Sequence, residues 1–251
     1  MGPELNPRQP EPDIVNYTWR DWGNRVGVWR LIELFDELRV PASVSFNTEI
    51  YDHCPEVAEA FRARGDEFIA HGRTNAERQA DMSEEAERSM IREVTERITR
   101  MEHRPPGGWI GPWVNETAVT PDLLQETGYR YLMDWAMDDQ PVWLKTRGGR
   151  ILSIPYSRPM NDLPMMQRAH ATPSAWVEAV IDGFEEMLAQ SAKQPLVFNL
   201  SLHPYLVGQP FRLRQLRRLL ARILAREKKI WLCRAGDIAE HAAKLAPGCV
   251  V

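Results

Sequence analysis

Residues 195–204 read PLVFNLSLHP. Leu196, Val197, Phe198, Leu200 and Leu202 make the run almost continuously apolar, and prolines bound it on both sides. It is too short for a typical helix and too apolar for a strand with one wet face. It predicts a strand buried on both faces, as in a parallel sheet covered by helices. The flanks agree: TPSAWVEAVIDGFEEMLAQ before it, opened by Thr172 and Pro173, and the segment from about Pro210 to Arg226 after it both have helical spacing.

The same alternation extends outward in both directions. Val28, Leu31, Ile32, Phe35 and Leu38 follow a helical period, and RVPASVSFN then alternates, with Val44 and Phe46 on one face. PEVAEAFRARG reads as a helix stopped by Gly65, and DEFIAH as a strand. SEEAERSMIREVTERITRM is a long helix with Ser83 as N-cap and Glu84 and Glu85 in its first turn. GGWIG, YRYLMDW, RILSIPY and KIWLC read as further strands, with helices TPDLLQETG and AGDIAEHAAKL among them. Repeated strand and helix alternation predicts an α/β fold with a parallel sheet. At 251 residues a closed or nearly closed (β/α) barrel is the leading topology, and a doubly wound open sheet is the alternative.

The composition excludes several classes of function. A net charge of −4 gives no electrostatic reason to expect a nucleic-acid partner. No apolar run is long enough to span a bilayer, and the start, MGPELNPRQPEPD, is polar and proline-rich, so a cytoplasmic protein is expected. Three widely spaced cysteines fit reduced thiols better than a disulfide framework. Residues 1–14 are expected to be a tail, and 15–251 a single catalytic domain. The arginines of RLRQLRRLLARILARE are most simply the solvated side of an amphipathic helix, since Leu213, Leu216, Leu220, Ile223 and Leu224 form its other face.

In folds of this class the ligand site lies at the carboxyl ends of the strands. The residues just beyond those ends are consistently polar. Asn47, Thr48 and Glu49 come after SVSF; His71, Arg73 and Asn75 after EFIA; Pro112, Trp113, Asn115 and Glu116 after GGWIG. Asp134, Trp135, Asp138 and Asp139 come after YRYLM; Asn161 and Asp162 after RILSIPY; His203 ends LVFNLSL. Two histidines ending two separate strands, beside aspartates and tryptophans, point to acid–base chemistry near neutral pH, suited to hydrolysis of an acyl or amide bond. Taken singly, each histidine reads as a structural residue, and Asp138 and Asp139 read equally well as turn residues before Pro141. Trp109, Trp113 and Trp135 either pack or wall an organic-substrate pocket. There is no glycine-rich phosphate loop, no G-x-S-x-G elbow and no C-x-x-C pair.

The ordered set WRDWGNRVGVWRLIELFD, GDEFIAHGRTN, RPPGGWIGP, MDWAMDDQPVW, IPYSRPMND and LSLHP resembles the polysaccharide deacetylase superfamily. This is the NodB-like carbohydrate esterase family 4, and the likeness is to its branch of allantoinase-like and cyclic imide hydrolase-like proteins. It runs from about Asn16 to Glu240. The resemblance implies a distorted (β/α) barrel that hydrolyses a non-peptide carbon–nitrogen bond by water attack on an acyl carbon. His203 matches the family's general acid, and Asp134 or Asp139 falls where an orienting or basic aspartate is expected. Asn75, Arg104, Trp109, Pro112 and Asn161 would shape the substrate pocket. His71 matches the first histidine of the metal-binding H-x-x-x-H motif, with Asn75 in place of the second.

The family's first strand and its acidic motif have no counterpart before WRDWG, so the resemblance implies no tightly held zinc and at most a weakly bound divalent metal at His71. Three outcomes are therefore open: a hydrolase of an amide, cyclic imide or ureide; a metal-dependent N-acetyl-sugar deacetylase; or a catalytically inactive barrel that binds a small molecule. A sheet lacking its first strand has an edge that the N-terminal tail or a second subunit is expected to cover, which makes a homo-oligomer the expected assembly.

Overall fold

Asp13 sets the start of the first helix: its side chain accepts the Asn16 N–H, satisfying one of the donors a helix start leaves open. The computed structural model describes residues 12–246 and 248–250. In chain order the elements are α1 (Ile14–Trp22), a π-helical turn (Gly23–Gly27), α2 (Val28–Leu38), β1 (Ser43–Phe46), α3 (Ile50–His53), α4 (Pro55–Arg64) and β2 (Glu67–Ala70). Then come α5 (Glu84–Glu102), β3 (Gly108–Trp109), α6 (Thr120–Thr127), β4 (Tyr131–Leu132), β5 (Val142–Thr146) and β6 (Gly149–Ser153). The chain continues with α7 (Pro173–Gln190), α8 (Pro204–Val207), α9 (Pro210–Leu224) and α10 (Ala235–Lys244). It gathers into two units, Met1–Val40 with Ser157–Leu232, and Pro41–Tyr156 with Cys233–Val251. Of the expected tail 1–14, residues 1–11 lie outside the described residues, and α1 begins at Ile14.

The first unit is helical. α2 buries Val28, Leu31, Ile32, Leu34 and Phe35, α7 buries Trp176, Val177, Val180 and Phe184, and α9 buries Leu216, Leu219, Leu220 and Ile223. For α2 and α9 these are largely the periodic faces expected from the sequence. The turn Gly23–Gly27 lies against α8, and Gly27 is there because nothing larger fits: a Cβ on it would stand 2.2 Å from the Pro204 carbonyl oxygen. The run 195–203 belongs to no helix and joins no ladder among the described residues, and Phe198 lies edge-on to Phe184 at 5.3 Å. This corrects the expectation of a sheet strand. An extended apolar run becomes a strand only with a neighbour at hydrogen-bonding distance, and no described residue supplies that ladder. KIWLC is corrected likewise: it forms no strand, and Trp231 is 60% exposed.

The second unit holds the sheet, in the order β1-β2-β3-β4-β6-β5. β1 to β4 and β6 run parallel, with Val44 opposite Phe68, Ala70 opposite Trp109 and Leu132 opposite Ser153. The α/β expectation therefore holds. β5 pairs antiparallel with β6 through the turn at 147–148, a hairpin that the polar-interrupted PVWLKT did not announce. Among the described residues no strand precedes β1 and no ladder joins it to β5. Residues 1–11 of the tail expected to cover the β1 edge fall outside the described residues. No helix among the described residues is long and apolar enough to cross a membrane.

Candidate functional site

In the first unit the sequence puts His203 directly before Pro204, the first residue of α8, and His203 is that helix's N-cap. Its backbone N–H donates to Asp162 Oδ2 at 2.7 Å, and its ring Nδ1 lies 2.6 Å from Asp162 Oδ1. A carboxylate can only accept, so Nδ1 carries the hydrogen and Nε2 carries the lone pair. The Asp162 side chain is fully buried while that of His203 is 28% exposed. The aspartate therefore works behind the ring and the ring faces outward. Tyr205 packs edge-on against His203 at 5.5 Å, and Arg20 both donates to the Tyr205 hydroxyl at 2.9 Å and lies over its ring.

In the second unit the residues after β2, β3 and β4 come together. Gly72, at φ 67, turns the chain where a Cβ would stand 2.9 Å from Pro112. His71 Nδ1 lies 2.5 Å from the Ile110 carbonyl oxygen, which places the ring hydrogen on Nδ1. The Trp113 indole N–H donates to the Asn75 carbonyl at 2.9 Å, and Asn115 Oδ1 accepts the Ala80 N–H. Asp134 takes the Gly111 N–H on both carboxyl oxygens at 2.9 Å, and the Trp135 indole donates to Glu116 at 2.7 Å. Below them Glu87, fully buried, accepts from Gln79, Thr117 and Thr120.

Burial pushes the Glu116 carboxyl up to about 7 from its ordinary 4.5, opposed by the hydrogen bonds it makes. Burial, then the adjacent Glu116 charge, pushes Asp134 well above its usual range. A carboxyl raised in the folded state keeps a proton that the unfolded chain has already released. Through Glu116 alone, stability should therefore fall by roughly 3 kcal/mol as the pH rises through the window from 4.5 to about 7. Denaturant midpoints across that window check it, and a Glu116→Gln variant should flatten the slope. Midpoints that rise through the window would contradict the assignment.

Several expected site residues serve elsewhere. Arg104 lines a cavity of about 120 Å³ with Glu67, Gly107 and Arg130, which start or precede β2, β3 and β4. That is the opposite end of the strands from His71 and Asp134, so Arg104 does not shape the cluster around them. Trp109 is fully buried against Tyr129 at 5.6 Å, a core residue and not a pocket wall. Asn161 is buried and turns its side chain onto the Leu163 N–H. Asp138 accepts the Gln140 N–H in a local turn, and Asp139 beside it is exposed. Asp162 and Glu116 are the residues to which sequence reasoning assigned no role. Both come after strand-like runs among polar neighbours, and nothing in those runs marks which neighbour turns inward.

For a metal, the expected first ligand His71 has Nε2 as its remaining nitrogen, and Asn75 offers no imidazole. Among the described residues no group of three His, Cys, Asp or Glu is placed to hold an ion. The donor set does not fit a tightly bound zinc.

No family model matches the chain. It is 23% identical over 258 residues to the peptidoglycan deacetylase of Helicobacter pylori, a match spanning 90% of this chain and 87% of that protein. Among solved structures it is similar to a probable polysaccharide deacetylase from Pseudomonas aeruginosa PAO1. There the TM-score is 0.85 and the identity 29%, covering 92% of this chain and 77% of that one. It is similar also to the Puue allantoinase, with a TM-score of 0.87 and 29% identity over 95% of this chain and 79% of that one.

Proposed function

We propose that the chain is a member of the polysaccharide deacetylase superfamily and hydrolyses a carbon–nitrogen bond outside peptides, in an amide, cyclic imide or ureide, as its likeness to deacetylases and an allantoinase supports. The observation that carries this reading is the Asp162–His203 pair. His203 Nε2 takes a proton from the water as it adds to the acyl carbon, and gives that proton to the departing nitrogen as the carbon–nitrogen bond breaks. Asp162 holds Nδ1–H throughout and offsets the charge of the imidazolium, so the ring keeps one orientation while it gives its proton. Likeness to an allantoinase at 29% identity and TM-score 0.87 favours a ureide or ring substrate.

The test is a panel of cyclic imides, ureides and N-acetylated sugars, run on the wild type and on His203→Ala. Turnover of an imide or ureide that falls by about 10²- to 10⁴-fold in the variant supports the reading. Undiminished turnover in the variant removes His203 from the chemistry.

A second reading, a metal-dependent N-acetyl-sugar deacetylase, is favoured by what the Helicobacter pylori and Pseudomonas aeruginosa relatives are called. About one divalent ion per chain by elemental analysis, lost in His71→Ala and coupled to acetate release, would favour it.

A further inference from the structure

Glu116 receives the indole N–H of Trp135, the residue next to Asp134, at 2.7 Å, and each of the two carboxyls acts on the other's ionisation. Among the described residues the donors to the pair are the Gly111 N–H, on both oxygens of Asp134, and the Trp135 indole N–H, on Glu116 Oε2. Glu116 Oε1 is shut off from solvent and has no donor among the described residues. Among the described residues neither carboxyl forms an ion pair, and the further charged group acting on Glu116, Glu87 from α5, is also an acid. Two ionised carboxyls that act on each other repel, and a buried oxygen without a donor is costly. One hydrogen between them removes both penalties.

We propose that Glu116 and Asp134 share a single proton, and that the pair so joined is a clamp that sets the turn from Gly111 to Asn115. That turn needs holding. Trp113 sits at φ 69 and Val114 at φ 54, left-handed backbone that a β-branched residue adopts only when its surroundings impose it. Asp134 fixes the entry to the turn through Gly111, and the Asn115 side chain fixes its exit on Ala80. The residue before the clamp, Ile110, is the one whose carbonyl holds His71 Nδ1. Glu116 is thus a positioning residue, and Asp134 is a holder of the turn and not a base. Losing the shared proton would set two negative charges against each other and loosen Gly111.

The experiment tracks the Gly111 amide by ¹⁵N–¹H correlation spectroscopy of the full chain during a pH titration, which needs no substrate. The amide should move in a step whose midpoint lies well above that of an ordinary carboxylate. In Glu116→Gln the amide nitrogen of the side chain donates where the shared proton did and the like charge is gone, so the step above the ordinary carboxylate range should vanish. A midpoint near the ordinary range of about 4, no movement in the wild type, or the same step in Glu116→Gln would each overturn the proposal. If the variant does not fold, side-chain carboxyl ¹³C shifts of the wild type decide. One Glu and one Asp titrating together above about pH 6 support sharing, and all carboxyls titrating below it refute it.

Discussion

Asp162→Asn should lower kcat by on the order of 10³-fold on whichever substrate the panel identifies, with little change in KM. Asp162 is fully buried behind the ring and takes the two N–H groups of His203 at 2.7 and 2.6 Å. An asparagine can still accept the backbone N–H at one end, but its NH₂ then faces Nδ1. That reverses the tautomer, so the ring hydrogen moves to Nε2 and the imidazolium loses its counter-charge. Ground-state binding is spared because Asp162 lies behind the ring. Turnover within twofold of wild type, with native near-ultraviolet dichroism, would show that Asp162 does not act through His203.

Gly27→Ala is expected to cost about 3 kcal/mol of stability, the upper end of overpacking effects. Helix propensity alone would favour alanine by about 1 kcal/mol, so the sign of the measured change separates the two causes. The added Cβ would meet the Pro204 carbonyl oxygen at 2.2 Å and its carbon at 2.8 Å. These are backbone atoms that no rotamer change can withdraw. α8 would have to shift, and His203 is the residue immediately before it. Urea denaturation gives the stability, and the ratio of turnover to wild type gives the effect on the site. A neutral or stabilising substitution would mean that the turn at Gly23–Gly27 yields easily and does not position His203.

The parts of the fold legible in the sequence are those decided locally. α5 and α7 begin where Ser83 and Thr172 cap them, and α4 and α6 stop at glycines with positive φ. Their buried faces result from a 3.6-residue period, which any neighbour of the right shape satisfies. The run 195–203 reads equally clearly as a strand, yet whether it enters a ladder depends on which other segment lies beside it, and periodicity carries no such information. The site shows the same division. His71 and His203 stand out as histidines at the ends of apolar runs. Asp162 is 41 residues from the ring it holds, and its neighbour Asn161, chemically as suitable, turns back onto Leu163 instead. Arg104 is easily misplaced, because a residue just before a strand and one just after it look alike in sequence although they lie at opposite ends of the sheet.

One contact in the second unit bears on how the chain is made. The first N–H groups of α10, from Ala235 and Gly236, are received by Ser43 Oγ and Glu67 Oε2, partners 192 and 169 residues earlier. As the chain emerges from a ribosome, β1 and β2 are complete long before α10 exists. Until residue 236 arrives, Glu67 has the hydroxyls of Ser43 and Tyr131 as partners but lacks the helix end that completes its shell. Contacts this distant in sequence form late, because loop closure must precede them. The nascent sheet therefore waits, partly finished, for α10, and during that interval the chain would have most need of a chaperone.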